Sequence, residues 1–168
     1  IAALSVGDAL AGVLSQQRQF RHEDFALYHP GGSIGRRLLL TVADLMHSGD
    51  DHPVVTPNAG VEEVLDLLTE KRLGGVNVVQ DKRSRKLVGI ITDGDLKRSL
   101  KRREEFFGLK ARDLMTENPT TVNDGDKAAH AMSLMENRPH QISVLPVVDQ
   151  KGRAVGMLRM HDLLSASK

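Results

Sequence analysis

The segment Thr92-Asp93-Gly94-Asp95 places a hydroxyl and a carboxylate three residues apart, directly after an apolar run. Where a strand ends and a helix begins, free backbone N–H groups and the Thr92 hydroxyl can face a phosphate. The Asp95 carboxylate can accept hydrogen bonds from the two vicinal hydroxyls of a ribose. The same spacing is also typical of a helix cap, in which both side chains serve only the helix itself. The pattern predicts either a nucleotide contact or a cap, and both interpretations stay open.

A related segment, Arg159-Met160-His161-Asp162, keeps the carboxylate but has arginine in place of the hydroxyl. A guanidinium is a charge-assisted donor, so Arg159 could bind an acidic group of a ligand, with His161 close to it in sequence. Whether Asp162 serves a ligand or only its own helix is left open.

Other chemistry-bearing residues give weaker patterns. The chain has no cysteine, which excludes disulfides, thiolate metal sites and a cysteine nucleophile. The histidines lack a close ligand spacing, so no metal site is predicted. His29 opens the segment His29-Pro30-Gly31-Gly32, which is typical of a structural turn. An imidazole with a pKa of about 6.5 also suits general acid–base catalysis, and this second role for His29 is kept as a hypothesis.

Two similar units position these segments. Asp44-Leu45-Met46 recurs as Asp113-Leu114-Met115, and in both copies a Pro-containing segment, a helix, two apolar strands and a short helix follow. The longer helix of each copy has apolar residues at i, i+3, i+4 and i+7: Val61, Val64, Leu65 and Leu68 in one, Ala128, Ala131, Met132 and Met135 in the other. We therefore predict an α/β (α+β) fold of two tandem β-α-β-β-α repeats, residues 42–103 and 104–168. Residues 1–41 lie outside the repeats and begin with a helix that extends to about Gln17.

Composition excludes several classes of partner. With 23 Lys+Arg against 22 Asp+Glu the formal net charge is +1, so no nucleic-acid partner is predicted. No apolar run approaches the length of about 18 residues that a membrane span needs, and no signal-peptide pattern is present. We expect no membrane association and a cytoplasmic location.

The repeated unit resembles the CBS motif, and the two copies together resemble a CBS pair, or Bateman module. Gly89-Ile90-Ile91-Thr92 through Asp95 matches the family's ligand signature fully, whereas the second copy keeps only Asp162. The resemblance covers residues 42–168 and implies that a nucleotide binds between the repeats.

The same resemblance implies which residues surround the base. Each site would combine the signature of one repeat with the Pro-containing segment of the other repeat and the residues before its apolar strand. The two implied sets are Thr92 and Asp95 with Thr120, Thr121, Ser143 and Val144, and Arg159, His161 and Asp162 with Val54, Val55, Gly74 and Gly75. Because Asn77 stands where the second copy has Pro146, the two sites are not expected to be equivalent.

The N-terminal segment resembles the junction in bacterial D-arabinose 5-phosphate isomerases, where a sugar-isomerase (SIS) domain ends and a CBS pair begins. The matching stretches are Gly7-Asp8-Ala9-Leu10, Glu23-Asp24-Phe25-Ala26-Leu27 and His29-Pro30-Gly31-Gly32-Ser33-Ile34-Gly35-Arg36. The resemblance implies that residues 1–41 are the SIS tail and linker, and that His29 is the catalytic acid/base of the full-length enzyme. We expect the chain to be a fragment of a longer protein and inactive alone.

The two resemblances together imply the regulatory module of an isomerase that interconverts D-ribulose 5-phosphate and D-arabinose 5-phosphate for Kdo and lipopolysaccharide synthesis. No cofactor is expected to be required. The expected regulatory ligand is CMP-Kdo, whose extra acid group suits Arg159, or else an adenine nucleotide. The alternative is a ligand-free scaffold that organises a catalytic tetramer. A homodimer of the CBS pair is expected in either case, because each small unit leaves an apolar helical face to cover.

Overall fold

The structure is a computed structural model that describes residues 2–18 and 39–166. These residues fall into two units that divide between Leu40 and Thr41. The first unit contains helix α1, Ala2–Gln17, which ends where the apolar pattern predicts. Among the described residues, no helix is both long and apolar enough to cross a membrane.

The second unit contains both repeats, and each forms the predicted β-α-β-β-α succession. The first repeat consists of strand β2 Val54–Val55, helix α2 Val61–Lys71, strands β3 Gly75–Val79 and β4 Leu87–Thr92, and helix α3 Asp93–Ser99. The second consists of β6 Val122–Asn123, α5 Ala128–Glu136, β7 Val144–Val148, β8 Ala154–Arg159 and α6 Met160–Ser165. The mixed α/β fold class and the two tandem repeats are therefore confirmed.

Each repeat begins with shorter elements. Strand β1, His47–Ser48, and a 3-10 helix, Gly49–Asp51, lie before β2 in the first repeat. A 3-10 segment, Leu100–Gly108, joins the two repeats, and helix α4 Ala111–Leu114 and strand β5 Thr116–Glu117 lie before β6 in the second. The sequence did not predict β1 and β5, because two-residue strands are too short to show a period.

The two sheets exchange these short strands. One sheet has the order β2-β3-β4-β5 and the other β1-β8-β7-β6. Strand β5 of the second repeat pairs antiparallel with β4 of the first, and β1 of the first repeat pairs antiparallel with β8 of the second. Each repeat therefore completes the sheet of the other, so the two are joined by backbone hydrogen bonds as well as by packing.

The core follows the alternation of side chains along β3. Val76 and Val78 pack with Val61, Val64 and other residues of the first repeat. The opposite face of the strand, which includes Asn77, is directed towards the second repeat, because successive side chains of a strand point to opposite sides. A second apolar cluster joins the repeats and consists of Leu73, Ile90, Val144 and Met157.

Two equivalent glycines allow the strand exchange. A Cβ at Gly89 would lie 2.7 Å from the sulfur of Met115 and 3.0 Å from the carbonyl oxygen of Thr116. A Cβ at Gly156 would lie 2.7 Å from the sulfur of Met46 and 2.9 Å from the carbonyl oxygen of His47. Each of these glycines precedes the apolar residues of its repeat's signature, and the missing side chain allows a neighbouring strand to approach the backbone.

We expect Gly156→Ala to lower the free energy of unfolding by about 1–3 kcal/mol, because the new methyl group overlaps the backbone of β1 as well as Met46. Urea denaturation of both proteins measures the difference. Gly125→Ala is the matched control, since no atom lies within 4 Å of its added Cβ. Equal stability of Gly156→Ala and the unchanged chain would contradict this account of the strand exchange.

Candidate functional site

A cleft of about 480 Å³ lies between the two repeats. Both repeats line it, with Leu68, Arg72, Leu73, Gly74, Asp93, Ser143, Arg159, Met160 and His161. Four of the predicted site residues are brought together here: Gly74, Ser143, Arg159 and His161. They come from both predicted sets, so a single cleft contains residues of each of the two implied sites.

The residues before β3 and β7 bind the first residues of helices α3 and α6. The backbone N–H of Met160 donates to the carbonyl of Ser143 at 2.9 Å, and that of Asp93 donates to the carbonyl of Gly74 at 3.4 Å. Gly74 adopts a left-handed conformation, with φ of 76°, which glycine adopts at little cost. The same backbone hydrogen bond therefore occurs in both repeats, and it positions four residues that line the cleft: Gly74, Asp93, Ser143 and Met160.

Asp95 is buried and its carboxylate is fully used within the chain. Oδ2 accepts the Thr92 N–H at 2.8 Å and the Thr92 hydroxyl at 2.5 Å. Oδ1 accepts from Nη2 of Arg98 and from the hydroxyl of Thr116 at 3.5 Å. In this conformation Thr92 and Asp95 form the helix cap that the sequence left open as an alternative, and neither lines the cleft.

Asp162 is held in a similar way, by Arg159 three residues before it and by the distant His47. Nε and Nη2 of Arg159 donate to its two oxygens at 2.9 and 2.7 Å, and Nε2 of His47 donates to Oδ2 at 2.9 Å. Burial raises the pKa of the Asp162 carboxyl, but the hydrogen bonds from Arg159 and His47 outweigh it and lower the pKa. Asp162 is therefore a charged anchor that orients Arg159, and Arg159 is the member of the pair that lines the cleft.

The remaining predicted residues lie away from the cleft lining. Val55, Gly75 and Val144 are buried, and Thr121 is half-buried. The hydroxyl of Thr120 accepts a hydrogen bond from Arg138 at 3.0 Å. Val54 lines a different pocket. His29 lies outside the described residues, so its role stays a prediction.

Two polar residues of the cleft, Arg72 and Asp93, were not predicted from the sequence. Arg72 follows the last residue of α2 and has a left-handed backbone, with φ of 54°. Asp93 lies inside the signature itself, at the first position of α3. Its position beside Asp95 was the available signal, but only the fold shows that Asp93 faces the cleft and Asp95 does not.

The cleft combines a basic side with an apolar one. Arg72 and Arg159 line it together with the acid Asp93, and the Nη1 atom of Arg159 has only a long 3.4 Å contact with the carbonyl of Arg72. Leu68, Leu73 and Met160 supply apolar surface. Such a site can bind an anionic group through the arginines and a flat or apolar group beside it. Within residues 2–18 and 39–166, no group of three His, Cys, Asp or Glu side chains is placed to hold a metal ion.

The sequence and the fold are similar to those of known CBS domains. A sequence model of the CBS domain matches residues 42–102 and 111–168. A crystal structure of CBSX2 in complex with AMP is 32% identical, covers 76% of this chain and 95% of its own, and has a TM-score of 0.62. The CBS domain pair of MJ0100 in complex with 5-methylthioadenosine and S-adenosyl-L-methionine is 25% identical, covers 75% and 94%, and has a TM-score of 0.64.

Curated relatives match a still longer part of the chain. Arabinose 5-phosphate isomerase KdsD of Yersinia pestis is 41% identical over 165 residues, which is 98% of this chain and 49% of that protein. The enzyme of the same name from Pseudomonas aeruginosa is 45% identical over 163 residues, which is 97% and 49%. The chain thus spans about half the length of these relatives, and the similarity extends through the N-terminal segment as well as both repeats.

We expect Asp162→Asn to lower the free energy of unfolding at pH 7 by about 1–3 kcal/mol, since it leaves Arg159 with a weaker partner. The folded-state pKa of Asp162 is below its ordinary value of 3.8, so its carboxylate stabilises the fold above that pH. This contribution is lost as the pH falls through the lowered folded-state pKa.

Urea denaturation at pH 7 and at about pH 3 measures both effects, and the difference between the two proteins should be smaller at the lower pH. The exposed Asp66 provides the control, because Asp66→Asn should change stability by less than about 0.5 kcal/mol. A difference between Asp162→Asn and the unchanged chain that grows on acidification would contradict the assignment.

Proposed function

Because this chain belongs to the CBS domain family, we propose that the cleft between its repeats is a regulatory site for a nucleotide or nucleotide-sugar. The observation that carries the proposal is the pair Arg72 and Arg159, two arginines from different repeats that line one cleft beside apolar side chains. Two family members of similar fold are complexes with AMP and with S-adenosyl-L-methionine, and this supports a nucleoside-bearing ligand here.

The regulated activity in this proposal is that of an arabinose 5-phosphate isomerase. The support is the 41–45% identity to enzymes of that name across nearly the whole chain. The parent enzyme interconverts D-ribulose 5-phosphate and D-arabinose 5-phosphate in the cytoplasm, on the route to Kdo and lipopolysaccharide. In this proposal His29 transfers the proton in the full-length protein, and the chain alone has no isomerase activity.

The proposed ligand is CMP-Kdo, with an adenine nucleotide as the second choice. A plain nucleoside monophosphate carries one anionic group, whereas CMP-Kdo has a phosphate and a sugar carboxylate. The two arginines match two anionic groups, and Arg159 is already oriented by Asp162. Asp93 is the carboxylate that faces the cleft and can accept ribose hydroxyls, whereas Asp95 reaches a ribose only if Arg98 moves away from it.

Calorimetry with CMP-Kdo, CMP and AMP tests this proposal. We expect CMP-Kdo to bind most tightly and Arg72→Gln to weaken it about 10-fold to 150-fold, which is the effect of losing one charge-assisted hydrogen bond. Lys101→Gln removes an equal charge from an exposed position outside the cleft lining and should leave the affinity unchanged. No heat with any of the three ligands, or equal affinities in the two variants, would favour the scaffold function instead.

A specific observation favours the scaffold alternative, in which the pair dimerises without a ligand. An apolar groove of about 430 Å³ is lined by side chains of α2, α3 and the 3-10 segment after α3. Within it Leu100 is 57% exposed and Phe107 is 70% exposed. Exposed apolar surface of this kind is typical of an interface, so we propose that two copies meet here, both in the isolated module and within a full-length tetramer.

We expect sedimentation equilibrium to show a dimer at concentrations of about tens of micromolar, and Phe107→Asp to weaken dimerisation by at least about 10-fold. Phe107 is exposed, so the variant should still fold. Gln150→Asp introduces the same charge on an exposed hairpin turn and should leave the dimer intact. A monomeric unchanged chain would contradict the self-association.

A further inference from the structure

A second pocket, of about 310 Å³, lies at the side of the first repeat and shares no lining residue with the cleft. It is formed by Gly49, Asp50, His52, Val54, Leu67, Lys71, Lys82 and Arg85. Three of these residues are cations and one is an acid, so the lining carries a net positive charge. Lys71 is already 2.8 Å from Glu70, which leaves Lys82 and Arg85 as its principal cations.

Arg85 occupies its position at a conformational cost. Its φ is 55°, in the left-handed region that glycine adopts easily and other residues adopt at a cost of about 1–2 kcal/mol. The equivalent residue of the second repeat, two positions before β8, is Gly152, with φ of 73°. Glycine therefore serves this turn where only the backbone matters. An arginine at such a position indicates that its side chain is used.

The hydrogen bonds around Arg85 contain one donor too many. Nη2 of Arg85 lies 2.9 Å from Nδ1 of His52, and Nδ2 of Asn77 lies 2.8 Å from Nε2 of the same ring. Burial, with a smaller effect of the Arg85 cation, lowers the pKa of His52 to about 4, so the ring is neutral at neutral pH. A neutral imidazole has only one acceptor nitrogen, yet both neighbours present N–H groups.

Rotating the Asn77 amide does not remove this excess donor without a new unfavourable contact. Turning the Asn77 amide over would give His52 an acceptor, but it would place the amide oxygen against the Gly156 carbonyl, to which Nδ2 now donates at 3.1 Å. Nε of Arg85 and Oδ1 of Asn77 are also buried without a partner. The network lacks an acceptor on the Arg85 side, where the pocket lies.

The surface beside the pocket is also basic. The two hairpin turns lie side by side, since the backbone N–H of Ala154 donates to the carbonyl of Arg85 at 2.8 Å. They carry the exposed cations Lys82, Arg83, Lys86, Lys151 and Arg153. Their acids, Asp81 and Asp149, accept backbone N–H groups of their own turns, and Asp149 also forms an ion pair with Arg153 at 2.6 Å, which leaves Lys82, Arg83, Lys86 and Lys151 as the main positive charges. Such a surface attracts anions towards the pocket.

We propose that this pocket binds a phosphate group, either free or as the ester of a small metabolite, at a site separate from the nucleotide cleft. The planar guanidinium of Arg85 donates to two phosphate oxygens, and Lys82 adds a second positive charge. Once Arg85 donates to the phosphate, Nδ1 of His52 can carry the ring proton, and Nε2 then accepts from Asn77. Binding thus resolves the donor excess and is linked to Gly156 of β8 through Asn77.

NMR titration of the chain with inorganic phosphate and with glycerol 3-phosphate, at constant ionic strength set with sodium chloride, tests the proposal. We expect saturable shifts of the Arg85 Nε–H and Lys82 signals, together with a change in the ¹⁵N shifts of the His52 ring that marks the change of tautomer. Tighter binding of the ester would show that the organic part also occupies the pocket, and equal binding would show that the phosphate alone is recognised.

Two variants of the same turn separate a built site from general charge. Arg85→Gly should fold, because Gly152 has the same backbone conformation, and should weaken phosphate binding by at least about 10-fold. Arg83→Ala removes an equal charge outside the pocket lining and should bind as the unchanged chain does. Shifts that do not saturate, or equal weakening by Arg85→Gly and Arg83→Ala, would overturn the proposal. Loss of CMP-Kdo binding alone would leave it intact.

Discussion

The close approach of β1 to β8 and of β5 to β4 is the constraint on which the rest of the structure depends. Each of these contacts requires a glycine, because a Cβ at Gly89 or Gly156 would lie within 3.0 Å of neighbouring atoms. Each repeat is too small to bury much apolar surface alone. By exchanging a strand, each repeat covers one edge of the other's sheet. Strands β3 and β7 then lie close enough for residues of both repeats to line the cleft.

The pseudo-equivalence of the repeats is broken at a few positions, and these are where function is proposed. Arg159 replaces the hydroxyl of Thr92, and the Asp that follows it is bound by His47 rather than by a second residue of its own helix. Asn77 replaces Pro146 and joins His52 to the carbonyl of Gly156. Arg85 replaces Gly152. In each case one repeat has a nitrogen-bearing side chain where the equivalent residue of the other repeat has none.

The sequence predicted the elements with strong periodicity and missed what depends on distant contacts. Helices α1, α2 and α5 and the hairpin strands were predicted because their runs of apolar residues are long enough to show a helix or strand pattern. The hydrogen-bond partners of Asp95 and Asp162 could not be predicted in the same way. Spacing alone does not reveal that Arg98 occupies one carboxylate, or that His47, 115 residues away in sequence, binds the other. Arg72 has no recognisable pattern, because only the packing of α2 against β3 brings it to the cleft.

The central claim is that a nucleotide-bearing ligand contacts both repeats at once. Intermolecular nuclear Overhauser effects between bound CMP-Kdo or AMP and the methyl groups of the cleft test it most directly. The account predicts contacts from ligand protons to Leu73 of the first repeat and to Met160 of the second, both of which line the cleft. Saturable binding with contacts to the methyl groups of only one repeat, or to none in the cleft, would contradict it.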